Sequence, residues 1–158
     1  MSLPNFRVLG TPAVRIGGVS VWVRGREFPD SNDYWDGNWL EVTVYCQYPG
    51  ARVWCEGPLI HAAELQGFLT GCEDLHRSLT GQANLDCLEP NLAIQMVGNG
   101  RGAITMKVTV TPDSVRQTHA FEEEIDQSYL PAIVSGCREI LSRFPIVGAS
   151  EHAEHDAG

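Results

Sequence analysis

No run of lysine or arginine exists in this sequence to track a phosphate backbone, and 11 basic residues stand against 20 acidic ones, a formal net charge of −9. That balance favours solubility and basic partners, and it excludes nucleic acid as the expected ligand. No apolar run approaches the roughly 20 residues that span a bilayer. The opening "MSLPNFRVLG" lacks the charged and apolar regions of a secretory leader. A cytoplasmic protein without a membrane partner is therefore expected. The cysteines Cys46, Cys55, Cys72, Cys87 and Cys137 are odd in number and never spaced C-x-x-C. They read as reduced, buried thiols, which excludes a disulfide frame.

Catalytic motifs are equally scarce. There is no G-x-S-x-G elbow, and "GNGRG" reads as a hairpin, not as a phosphate loop between strand and helix. Asp30, Asp33, Asp36 and Glu41 fail the calcium-loop spacing, because counting from Asp30 puts Tyr34 at position five and Trp35 where glycine is required. Cys72 and His76 stand four apart on a predicted helix, but Cys72 falls in its apolar stripe and reads as a core thiol. Glu122 and Glu124 read as solvated strand residues. No metal, cofactor or catalytic residue is expected; a pocket uniting His61, His119 and acids would be the sign of an enzyme.

What is present is periodicity. With 158 residues and 43% hydrophobic side chains, the chain suits one domain with a sizeable core. "GVSVWVRG" alternates Val19, Val21 and Val23 against Ser20, Trp22 and Arg24, and "NWLEVTVYCQ" alternates Leu40, Val42, Val44 and Cys46 against Trp39, Glu41, Thr43 and Tyr45. "YPGA" turns the chain into the next strand, "RVWCEG". Helical spacing takes over at Leu65, Phe68, Leu69, Cys72, Leu75 and Leu79, with Glu73 and Arg77 placed to pair and Gly81 placed to stop the helix. "QANLDCL", "NLAIQMVG", "AITMKVTVT" and the run through Phe121 and Ile125 are further strands. Asp126 then caps a second helix, with Pro131 near its first turn and Pro145 ending it. The prediction is an α+β domain over residues 1–148: a strongly twisted antiparallel sheet of seven or eight strands, with two helices on its valine-rich face. Residues 149–158 form a mobile acidic tail carrying His152 and His155.

One echo runs through the chain. "EVTV" at 41–44 returns as "KVTV" at 107–110, and "LQGFLTGCEDL" from Leu65 returns as "LPAIVSGCREI" from Leu130, 65 positions later. Internal duplication is one reading, and the chance likeness of amphipathic elements is the other. A repeated strand-turn-strand-helix connectivity decides between them.

If the valines face the helices, Trp22, Trp39, Tyr45 and Trp54 project from the opposite side of the sheet. Arg24, Arg52, Glu41 and Glu56 then lie among them. Tryptophan, tyrosine and arginine dominate binding hot spots, so this face is the candidate partner-binding surface. The competing reading is that the N-terminal segment or a second layer covers the rings; a homodimer through the face is a third. The stretch "DYWDGNWL" reads as a turn that delivers Trp39 to that face, with Tyr34 and Trp35 anchoring the loop.

As a set, "DYWDGNWL", "ELQGFLTGCEDL" followed by "GQANL", and "FEEEIDQSYLPAIVSGCREILSRFPIVG" resemble a group of small acidic bacterial proteins, mostly uncharacterised, that includes immunity proteins of the WapI type. The resemblance covers much of residues 33–148. It implies inhibition of a polymorphic toxin by direct, non-catalytic binding inside the producing cell, and it offers no catalytic residues. A basic toxin domain would suit the chain's charge. The alternative is a small-molecule-binding domain with a pocket beside the aromatic face.

Overall fold

In the computed structural model residues 5–148 are described; the expected tail at 149–158 lies outside them. The order is α1 (Phe6–Leu9), β1 (Val14–Ile16), β2 (Val19–Arg26), β3 (Trp39–Tyr48), β4 (Ala51–His61), α2 (Ala62–Ser78), β5 (Thr80–Asp86), β6 (Leu92–Asn99), β7 (Ala103–Val110), β8 (His119–Asp126), a 3-10 turn (Gln127–Tyr129) and α3 (Leu130–Arg143). The fold is α+β with eight strands, as the alternation predicts. Those strands divide into two four-stranded antiparallel sheets, β1-β2-β3-β4 and β5-β6-β7-β8.

Each sheet is a meander, its strands antiparallel and adjacent in chain order, and tight turns join two of the neighbouring pairs. Pro49-Gly50 links β3 to β4, and Gly100 to Gly102 link β6 to β7. Cross-strand partners keep the apolar faces in register: Val21 lies opposite Val44, which lies opposite Cys55. In the second sheet Met96 lies between Ala83 and Met106. All of these are buried in a single core shared by both sheets and both long helices. Each such aliphatic side chain contributes roughly 1.5–3 kcal/mol by leaving water.

The helices repeat one another at the offset seen in the sequence. Leu65, Phe68, Leu69, Cys72 and Leu75 are the inward side chains of α2 after Ala62; Leu130, Ile133, Val134, Cys137 and Ile140 are those of α3. Every pair differs by 65 positions. Gly71 and Gly136 are equivalent too, and each marks a close approach. A Cβ at Gly71 would sit 2.9 Å from Ala83 Cα on β5, and one at Gly136 would sit 2.8 Å from Ala13 O and 2.9 Å from Val14 Cβ on β1. Thus α2, which follows the first sheet, lies along the leading strand of the second. Its counterpart α3, which follows the second sheet, lies along the leading strand of the first. The connectivity is the same in both halves, which supports the duplication reading over chance.

Two local expectations change. Glu73 pairs not with Arg77 but with Arg138 at 2.9 Å, its counterpart on the facing helix, while Arg77 turns to Asp74. Helix–helix packing puts Arg138 closer to Glu73 than its own helix does. Nor does α2 run to Gly81. It ends at Ser78, and Leu79 takes the left-handed cap position at φ 61°, its N–H bonded to Leu75 O. Leu79 therefore leaves the buried stripe.

A polar clasp joins the sheets. The Glu123 carboxylate on β8 accepts from Tyr48 Oη at 2.9 Å and from Gly18 N at 2.8 Å. The Tyr48 ring stacks on Phe121 with centroids 4.4 Å apart. Gly17 turns between β1 and β2 at φ 56°, where a Cβ would overlap that carboxylate, so glycine is required there on both counts.

Candidate functional site on the outer face of the first sheet

The corner "DYWDGNWL" is built by its short polar side chains. Asp33 Oδ2 accepts from the backbone N–H groups of Trp35 and Asp36, both at 2.9 Å, and Gly37 N bonds back to Asp33 O. Asn38 is fully buried and ties the corner to the chain after α3: its amide donates to Tyr34 O at 2.7 Å and Val147 O at 2.9 Å, and its oxygen accepts from Val147 N. The Arg26 guanidinium donates to Gly37 O and Pro145 O, and partial burial lowers its pKa. No cluster of three metal-ligating side chains occurs among the described residues.

From this corner β3 sets out with Trp39. His61 faces Trp39 across the pair, with their rings at 5.2 Å edge-on, and Tyr34 lies 5.3 Å from the same imidazole. His61 is buried and starts α2. Its Nδ1 accepts from Ala63 N, and Glu64 accepts in return from His61 N, which completes a capping box. With Nδ1 accepting, the Nε2 proton is the one directed at Tyr34 O, 3.1 Å away. Sequence reasoning missed this role because histidine lies outside the usual Ser/Thr/Asp/Asn cap set. The Glu three residues on was the available signal. His119 lies on β8 at the far end of the second sheet's pairing and does not join His61.

All seven sequence-selected residues lie on the outer side of β2, β3 and β4. None of the four rings belongs to the shared core. In register, Ser20 lies opposite Tyr45 and Tyr45 opposite Trp54; Trp22 lies opposite Thr43 and Thr43 opposite Glu56. Arg24 sits between two carboxylates, 3.5 Å from Glu41 and 3.6 Å from Glu56, and also donates to Val42 O. Arg52 is exposed opposite Gln47. Trp54 is half-buried, and its indole nitrogen is buried without a hydrogen-bond partner. Burial, with repulsion from Glu41, Asp36 and Glu89, raises the Glu27 carboxyl pKa, which marks an acidic margin beside the face.

Trp22 does not stand open. It is 8% exposed, because the N-terminal segment crosses it. Trp22 Nε1 donates to Gly10 O at 3.0 Å, and the Phe6 ring lies 5.6 Å from Trp22 and 4.2 Å from Tyr45. The N-terminal cover weighed at the sequence level thus holds for Trp22 and in part for Tyr45. Beside this segment a groove of about 420 Å³ runs between β2 and α3, lined by Leu9, Trp22, Arg24, Ile140 and Arg143 among others.

The five cysteines are free and four are buried. Burial pushes Cys46, Cys55 and Cys137 up to about 12, so these thiols are not set up as nucleophiles. No helix among the described residues is long and apolar enough to cross a membrane.

Two four-strand-and-helix units of the same connectivity sharing one core, with rings and ion pairs on the outside of one sheet, define the class: a two-sheet α+β protein. Within that class, the model of the WapI-like immunity protein family matches residues 14–145, and the chain belongs to that family. Comparison with curated proteins and with solved structures returned no match.

Proposed function

We propose that this chain is a non-catalytic immunity protein of the cytoplasm that neutralises a cognate toxin by direct binding. The docking surface is the outer face of the first sheet, with Trp39, Tyr45, Arg52 and Trp54 supplying area and Arg24, Glu41 and Glu56 fixing orientation. The observation that carries the reading is the unlikeness of two otherwise equivalent halves. Their inward faces match, yet the second sheet turns Gln82, Asn84, Gln95, Lys107, Glu122 and Glu124 outward where the first sheet carries three tryptophans and a tyrosine. Trp22 is already covered by the N-terminal segment, and the partly exposed Trp39, Tyr45 and Trp54 are the rings that a partner would bury. The net charge of −9 suits a basic toxin domain and speeds its association.

Calorimetric titration with the toxin domain encoded beside this chain tests the proposal. Replacing Arg52 and Trp54 together by alanine is expected to weaken binding about 30-fold or more, the scale of a hot spot. Lys107→Ala on the second sheet should change it little. A wild-type chain that does not bind that domain, or a double variant that binds it equally well, refutes the assignment.

A second reading rests on the groove beside Trp22. Its size suits a small ligand, and it brings Arg143 and Glu139 together beside Arg24, whose charge Glu41 and Glu56 already pair. Native mass spectrometry of the chain purified from its own host decides: a stoichiometric adduct supports it, and a bare mass removes it.

A further inference from the structure

The segment over Trp22 and Tyr45 differs from everything beneath it. Of the residues in α1 none is buried, and Val8 is 80% exposed. The segment leaves the sheet at Gly10, whose φ is 72° and whose Cβ position is open space. It also precedes the residues shared with the family, which begin at 14. Among the described residues, its hold on the face includes the Phe6 ring against Tyr45 and Trp22, and the Trp22 indole N–H to Gly10 O.

We infer that residues 6–10 are a displaceable strap, and that the partner takes its place by delivering an aromatic side chain to the seat that Phe6 occupies between Tyr45 and Trp22. The inference rests on the docking reading above and deepens it by naming what the partner presents. Phe6 reports the chemistry of the seat: a flat ring at 4.2 Å from Tyr45, with a carbonyl oxygen supplied to the Trp22 indole nitrogen. A partner that offered an acidic or short aliphatic side chain would forfeit the ring contacts, while the carbonyl for the indole N–H can come from any partner backbone, as it does here from Gly10. Because the strap adds no side chain to the core, opening it exposes the face without disturbing the two sheets. While closed, it lowers apparent affinity by the fraction of molecules that are open.

The experiment compares the full-length wild type with Phe6→Ala, using the adjacent toxin domain as the probe, by calorimetry and stopped-flow association. Circular dichroism should be unchanged in the variant and its melting temperature lower by only a few degrees, the cost of the lost ring contacts, while acrylamide quenching of tryptophan emission should rise as the strap lifts from Trp22. Phe6→Ala is expected to bind the toxin domain about three- to ten-fold more tightly, through faster association, since one or two ring contacts hold the closed state. Binding by the variant that is equal to or weaker than wild type overturns the strap, and leaves the docking face standing. Absence of binding by both chains overturns the docking face and the strap together.

Discussion

The close approach of α2 to β5 makes opposite forecasts for two glycines one turn apart. Gly67 has nothing within 4 Å of its Cβ position, whereas a Cβ on Gly71 would meet Ala83 Cα at 2.9 Å and Gln82 O at 3.2 Å. Alanine gains about 1 kcal/mol of helix propensity at either site. At Gly67 that gain stands unopposed, and the equivalent position in α3 is already Ala132. At Gly71 the obstacle is strand backbone, which cannot rotate away, so overpacking of about 1–3 kcal/mol is set against the gain. Gly67→Ala should therefore raise stability by about 1 kcal/mol, and Gly71→Ala should fall below it by about 1–3 kcal/mol. In a chain of this length that separates their melting temperatures by about 2–4 °C per kcal/mol. Urea unfolding followed by circular dichroism measures both, with Gly136→Ala expected to behave like Gly71→Ala because Ala13 O and Val14 Cβ block it at 2.8 and 2.9 Å. If Gly71→Ala proves as stable as Gly67→Ala, α2 does not lie against β5 and the exchange of helices between halves is wrong.

Two further outcomes follow from buried polar groups. Asn38→Ala removes the ties between the corner and Val147 and strands backbone groups at both ends, so it should cost about 3 kcal/mol in urea unfolding without a change in slope. Alkaline stability has a definite sign. Tyr48 is raised above its ordinary 10.0, first by burial and then by its hydrogen bond to Glu123 and that carboxylate's charge, while Cys46, Cys55 and Cys137 stand at about 12 against an ordinary 9.0. These groups ionise in the unfolded chain first, so stability is intact below about pH 9 and declines as pH rises above it. Glu123→Gln should lower the Tyr48 pKa, seen as phenolate absorbance near 295 nm at lower pH than in wild type; an unchanged titration would show that the clasp does not form.

Much of the fold is written in local pattern. The alternation of Val19, Val21 and Val23 and of Leu40, Val42 and Val44 places their strands and inward faces, because a period of two has one meaning in a half-buried sheet. The stripe from Leu130 to Ile140 does the same for α3. What local pattern does not carry is which strand closes on which: nothing in β4 or β5 announces that pairing stops between them, so one sheet was expected where there are two. Glu73 illustrates the same limit, since Arg77 is its neighbour by helical spacing but Arg138 is its neighbour in space. Of the binding face, alternation sorted the rings to the outer side. The cover over Trp22 was legible only as an alternative, because Phe6 sits in a short segment with no periodicity of its own.

The exchanged helices have a consequence for synthesis. Strand β1, at Val14–Ile16, emerges from the ribosome long before the helix that shields it, α3, at Leu130–Arg143. Until α3 arrives, Val14 and its neighbours have no lid, and the first half waits as an incomplete layer. Loss of α3 thus uncovers the strand it shields at the other end of the fold, so a premature stop near residue 130 should be as damaging as one midway through the fold.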